Sequence, residues 1–66
     1  MDEDEITVEV DRAGRADAVL AAALEDLSRT RVQALIRAGA VELNGEPLAD
    51  PSHRVAPGDT ATLVIP

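Results

Sequence analysis

No Phe, Tyr or Trp occurs among the 66 residues of this chain, and no Cys either. Whatever core it forms must be built from Val, Leu, Ile and Ala, with no disulfide framework to staple it and no thiolate metal site. A chain this short buries a modest fraction of its surface and leaves room for one domain only. Hydrophobic residues still make up 45% of it, which places it with globular chains rather than disordered ones.

Apolar spacing then divides the chain into elements. In "ITVEV", Ile6, Val8 and Val10 alternate with Thr7 and Glu9, the period of a half-buried strand. Gly14 in "DRAGR" interrupts that period. From Ala16 to Leu27 it becomes helical, with Leu20, Leu24 and Leu27 on one face. Ser28 suits the N-cap of a second helix and Gly39 its left-handed C-cap. Asn44-Gly45 is the strongest short hairpin signal, of the type I′ kind. Pro57-Gly58 marks a turn before a last strand with Ala61, Leu63 and Ile65 on one face. These signals predict helices at about 16–26 and 29–38, packed on a small, mostly antiparallel sheet from about 6–10, 41–43, 46–48 and 60–65. The expected class is α+β.

The formal net charge is −7, yet the charge is uneven. Asp2, Glu3, Asp4, Glu5, Glu9 and Asp11 crowd the first eleven residues without a base among them, and residues 12–66 carry a net of only −1. Residues 1–5 are therefore expected to be a solvated acidic tail, and 6–66 the domain. Three of the six bases, all arginines, fall within "SRTRVQALIRAG" (residues 28–39), where no acid stands. At about 100° per residue Val32, Leu35 and Ile36 share one side of this helix, and Arg29, Gln33 and Arg37 line the adjoining side. Arg31 projects elsewhere. Exposed helices usually interleave Glu with Arg for i,i+4 pairing; this one does not. Its guanidinium forks suit phosphate, which they bind bidentately.

The span "GRADAVLAAALEDLSRTRVQALIRAGAVELNGEPLADPSHRVAPGD" resembles the alpha-L RNA-binding domain of the small-subunit ribosomal protein S-four type. Arg15 and Asp17 match the first element of that family's pattern, and Ser28-Arg29 the second. Ile36, Gly39, Val41, Asn44 and Gly45 match the third, and Pro57-Gly58-Asp59 the fourth. Two departures stand out: Ala16 replaces a usual Leu, which thins the core, and no lysines accompany the arginines. The leading "ITVEV", the "PSHRV" before the turn and the closing "LVIP" further resemble the N-terminal domain of large-subunit ribosomal RNA pseudouridine synthases. In those enzymes an isomerase domain follows, so the chain is expected to be an excised part of a longer protein.

The resemblance implies an alpha-L RNA-binding fold that recognises structured RNA, large-subunit ribosomal RNA foremost, as the targeting domain of a pseudouridine synthase. Arg15, Arg29, Arg31, Gln33 and Arg37 are its expected RNA contacts, with Asn44 and Gly45 at the edge of the site. With no Phe, Tyr or Trp, shape and phosphate contacts should dominate over stacking. The chain alone is expected to be no enzyme, because the aspartate nucleophile of such synthases belongs to the fused catalytic domain. Asp17 instead favours the macrodipole of its helix and pairs with a nearby arginine. His53, the one histidine, is expected at a surface or sheet edge, with at most one RNA contact; no metal or cofactor is expected. A monomer is expected, and one in the cytoplasm, since no apolar run is long enough to cross a membrane and no signal sequence opens the chain. Two alternatives stay open: a protein-interaction module whose arginine face meets an acidic partner, and a stand-alone RNA-binding protein of the same fold.

Overall fold

A computed structural model describes residues 4–66. In chain order its elements are β1 (Asp4–Glu9), β2 (Gly14–Arg15), α1 (Ala16–Ala23), α2 (Arg29–Arg37), β3 (Val41–Leu43), β4 (Glu46–Pro47), β5 (Arg54–Val55) and β6 (Thr60–Ile65). Four strands form one antiparallel sheet in the order β1-β6-β3-β4, so the last strand of the sequence lies between the first and the third. The expected α+β architecture is the observed one. In β1, Val8 is buried and Ile6 half-buried while Thr7 and Glu9 face solvent, as alternation requires. Val41, Ala61 and Leu63 continue the inner face, and Val19 and Leu20 of α1 join Val32, Leu35 and Ile36 of α2 in the same buried cluster. Ala16 is also fully buried, and its N–H donates to the His53 carbonyl at 2.8 Å. The Asp17 N–H likewise donates to the Pro51 carbonyl at 3.1 Å, so the 51–53 turn is tied to the start of α1.

The strand β1 begins at Asp4, with Asp4 opposite Ile65 and Glu5 opposite Val64. Two residues assigned to an acidic tail therefore belong to the sheet, while residues 1–3 lie outside the described residues. Inter-strand backbone bonds tolerate charged side chains wherever these point to water, so charge alone does not end a strand.

The first helix stops at Ala23 rather than near 26. Leu24 has left helical geometry at φ −116°, ψ 90°, and the Leu27 N–H closes a turn on the Leu24 carbonyl at 3.0 Å. Extending the helix would set Glu25 and Asp26 at the negative end of its dipole. Leu24 and Leu27 still pack, half-buried, against the core. Ser28 then opens α2, its Oγ accepting the Arg31 N–H at 3.1 Å. At the other end Gly39 takes φ +81°, letting the Ala40 N–H reach the Leu35 carbonyl at 3.0 Å and its own N–H the Ile36 carbonyl at 3.2 Å, a Schellman stop. A second, two-stranded sheet, β2 with β5, joins the start of α1 to the segment before the final turn.

Candidate nucleic-acid interface

Asp17 organises the polar side of the helix pair. It is the second residue of α1, and its side chain is 0% exposed. Its Oδ1 accepts the Ala18 N–H at 2.8 Å, satisfying a donor that the first helical turn leaves free. Arg15, just before the helix, approaches bidentately: Nε to Oδ1 and Nη2 to Oδ2, both at 3.2 Å. From α2, Gln33 Nε2 donates to Oδ2 at 2.7 Å and Arg29 Nε lies 3.3 Å from the same oxygen. Burial on its own would raise the pKa of this carboxyl. The hydrogen bonds from Gln33, Arg15, Arg29 and the Ala18 amide outweigh that and hold it at about 2. Asp17 is thus ionised at neutral pH, and its negative charge lies between two positive ones.

The cluster carries a net positive charge and is only half consumed by its own contacts. The Arg15 and Arg29 side chains remain 47% and 50% exposed. A guanidinium has five N–H donors in a fixed fork, and those not turned to Asp17 remain available to an outside acceptor. Because Asp17 already orders both side chains, less rotamer entropy is lost when an anion binds. This is an arrangement suited to phosphate oxygens.

The other expected contacts divide. Arg37 lies on the same side of α2 as Arg29 and Gln33, is exposed, and stands in the last turn, where a cation suits the helix dipole. Arg31 is also exposed but sits around the helix, on the far flank of the buried stripe, and does not join the Asp17 cluster. Gln33 is half-buried with its amide nitrogen committed to Asp17. Asn44 lies elsewhere: its Nδ2 donates to Asp59 Oδ1 at 3.0 Å and its Oδ1 accepts the Thr60 N–H at 2.9 Å. With φ +53° at Asn44 and +83° at Gly45, the pair forms the type I′ turn and ties it to the Pro57-Gly58 turn. Asp17 itself behaves as expected, at a helix start and paired with arginine.

One basic residue was not anticipated. The pairing of β2 with β5 sets Arg54 directly opposite Arg15, on the same face of that ribbon. Like charges at such a position are unfavourable without a counter-ion; Asp17 supplies one to Arg15, and among the described residues Arg54 has no ion-pair partner. A two-residue strand has no readable period, so nothing in the sequence announces this neighbour.

Helix pair, sheet and arginine cluster together make a small α+β domain with one face suited to anions. The chain belongs to the S4 domain family, which matches residues 14–60 and whose members are typically RNA-binding. Among curated proteins it is similar to the chloroplastic RNA pseudouridine synthase 2 of Oryza sativa subsp. japonica, with 43% identity over 53 residues. That match covers 77% of this chain and 12% of the plant protein, so the chain spans a small part of its relative's length. Among the described residues no helix is long and apolar enough to cross a membrane.

Proposed function

We propose that this chain binds structured RNA by shape and phosphate contacts and serves as the targeting domain of a pseudouridine synthase, acting as a monomer on large-subunit ribosomal RNA. One observation carries the reading: a buried, ionised Asp17 presents Arg15 and Arg29 as ordered, half-exposed guanidinium groups. Arg54 beside Arg15, and Arg37 along α2, extend the positive surface available to a folded backbone. Similarity to part of a protein named as an RNA pseudouridine synthase supports the link to that chemistry.

The chain's part in uridine isomerisation is binding. The one buried carboxylate among the described residues, Asp17, has both oxygens engaged by Arg15, Gln33, Arg29 and the Ala18 amide, which leaves it unfit as a nucleophile. Fusion raises the local concentration of a catalytic domain at the RNA by an amount that linker reach sets.

Titration with a folded ribosomal RNA hairpin at several salt concentrations tests this. If about three or four arginines neutralise phosphates, log K falls against log salt with a slope of about −2 to −4. Equal affinity for unstructured RNA, or a slope near zero, would remove the proposal. Binding to an acidic protein but not to RNA would favour the protein-interaction alternative.

A further inference from the structure

Beside the arginine cluster lies a hollow of about 390 Å³ between the β3–β4 hairpin and the turn at 50–53, with Leu43, Pro47 and Leu48 as its apolar lining and Asp50 and His53 as polar groups. The 50–53 turn that lines it runs on into β5, which carries Arg54. The His53 carbonyl accepts the Ala16 N–H at 2.8 Å, and the next residue, Arg54, pairs across the ribbon with Arg15. The hollow and the Arg15–Arg54 pair are thus joined through one short stretch of backbone, residues 53–54.

The chemistry of the hollow is opposite to that of the cluster. Asp50 Oδ1 accepts both the Ser52 N–H at 2.9 Å and the Ser52 Oγ at 2.7 Å, which fixes the carboxylate; among the described residues Oδ2 has no hydrogen-bond partner. Those Ser52 bonds also hold its carboxyl below the usual carboxylate range. Glu46 stands on another wall of the same hollow. Two acids exclude phosphate, so what enters is not the backbone. A carboxylate only accepts hydrogen bonds, and it selects a group rich in N–H.

We infer that this hollow receives one unstacked nucleobase bearing an exocyclic amine, stacked on His53 and donating to Asp50 Oδ2. An imidazole ring is a stacking partner for single bases. Adenine, cytosine and guanine each offer an amine to the carboxylate. Uracil offers only an N–H flanked by two carbonyl oxygens, which a carboxylate repels. The inference rests on the RNA-binding reading above and adds base selection to it.

The experiment measures affinities of the chain for RNA hairpins with one common stem and loops of A, C or U. The A and C loops are expected to bind about 5- to 10-fold tighter than the U loop, within the range of a single good base contact. Asp50→Asn retains an oxygen for Ser52 but gives the free side of the group donor capacity, so it should bring the three loops within about twofold of one another. His53→Ala should weaken the A and C loops at least about 5-fold, the loss expected for one stacked base, while leaving the salt slope unchanged. Circular dichroism checks that both variants keep their helices; should His53→Ala lose them, Asp50→Asn alone decides. Wild-type indifference to loop sequence, or discrimination that survives Asp50→Asn, would overturn the inference while leaving phosphate binding intact. Loss of all salt-dependent RNA binding in the wild type would instead overturn the reading on which it rests.

Discussion

Two carboxylate-centred clusters in this molecule look alike on paper and differ in what they leave unspent. Around Asp17 the donors are side chains, Arg15, Arg29 and Gln33, plus one backbone amide. Around Asp59 they are the Asn44 amide and the Ala56 N–H, and Asn44 completes itself on Thr60. The first acid is buried and its arginines are half outside; the second cluster is exposed and joins two turns. A guanidinium satisfied on one edge still has donors on the other, whereas the heavy atoms of an amide engaged at both ends present little to a ligand. The Asp17 cluster is therefore the one with donors to offer, as the proposed RNA contact requires, and the Asn44–Asp59 cluster ties two turns together.

The largest effect should come from a residue in neither cluster. Leu35→Ala removes buried contacts beneath α2, at a cost of about 2–5 kcal/mol, and in so small a domain it should abolish both clusters together. Retained helical circular dichroism with retained RNA affinity would show that α2 does not depend on that packing.

Asp17→Ala should come next, at about 3 kcal/mol, the low end for breaking a buried pair, because both arginines can turn to water. A fall in urea midpoint with an unchanged m-value would register it. Its pH signature has a definite sign. Folding lowers this carboxyl from 3.8 to about 2, so its contribution is fully present above about pH 4 and lost as pH falls through about 2. Asp17→Asn should therefore flatten the acid limb of stability between those values. Asp50 and Asp59, also held low, act with the same sign but are common to both proteins.

Asn44→Ala tests the other side of the comparison. Placing Ala at φ +53° should cost about 1–2 kcal/mol and leave the salt dependence of RNA binding where it was. A changed salt slope would return Asn44 to the interface. Arg29→Ala is expected to do the reverse, with a small change in stability and a salt slope flattened by about one unit. If both substitutions moved the same observable, the division between binding surface and fastening would fail.

Much of the fold was legible because its signals are local. Asn44-Gly45, Pro57-Gly58 and Gly39 each demand a particular backbone, and the β1 and β6 alternation needs only a window of a few residues. The end of α1 was less legible, since the Leu20, Leu24, Leu27 spacing continues while the dipole argues against Glu25 and Asp26. The ribbon of β2 and β5 was not legible at all, and with it went Arg54. In the site, the pairing of Asp17 with an arginine could be read from the sequence. Its convergence with Gln33, sixteen positions away, depends on how two helices cross.

The place of β6 in the sheet has a consequence for how the protein comes into being. A ribosome makes β1 and β3 first, but both must wait for the strand that separates them. The helix pair is complete earlier in synthesis, yet isolated helices of eight and nine residues do not persist in water. The helix pair that carries the arginines should therefore gain its full support only when Thr60–Ile65 has emerged and inserted. The sheet beneath the helix pair is thus completed by the strand made after all its partners.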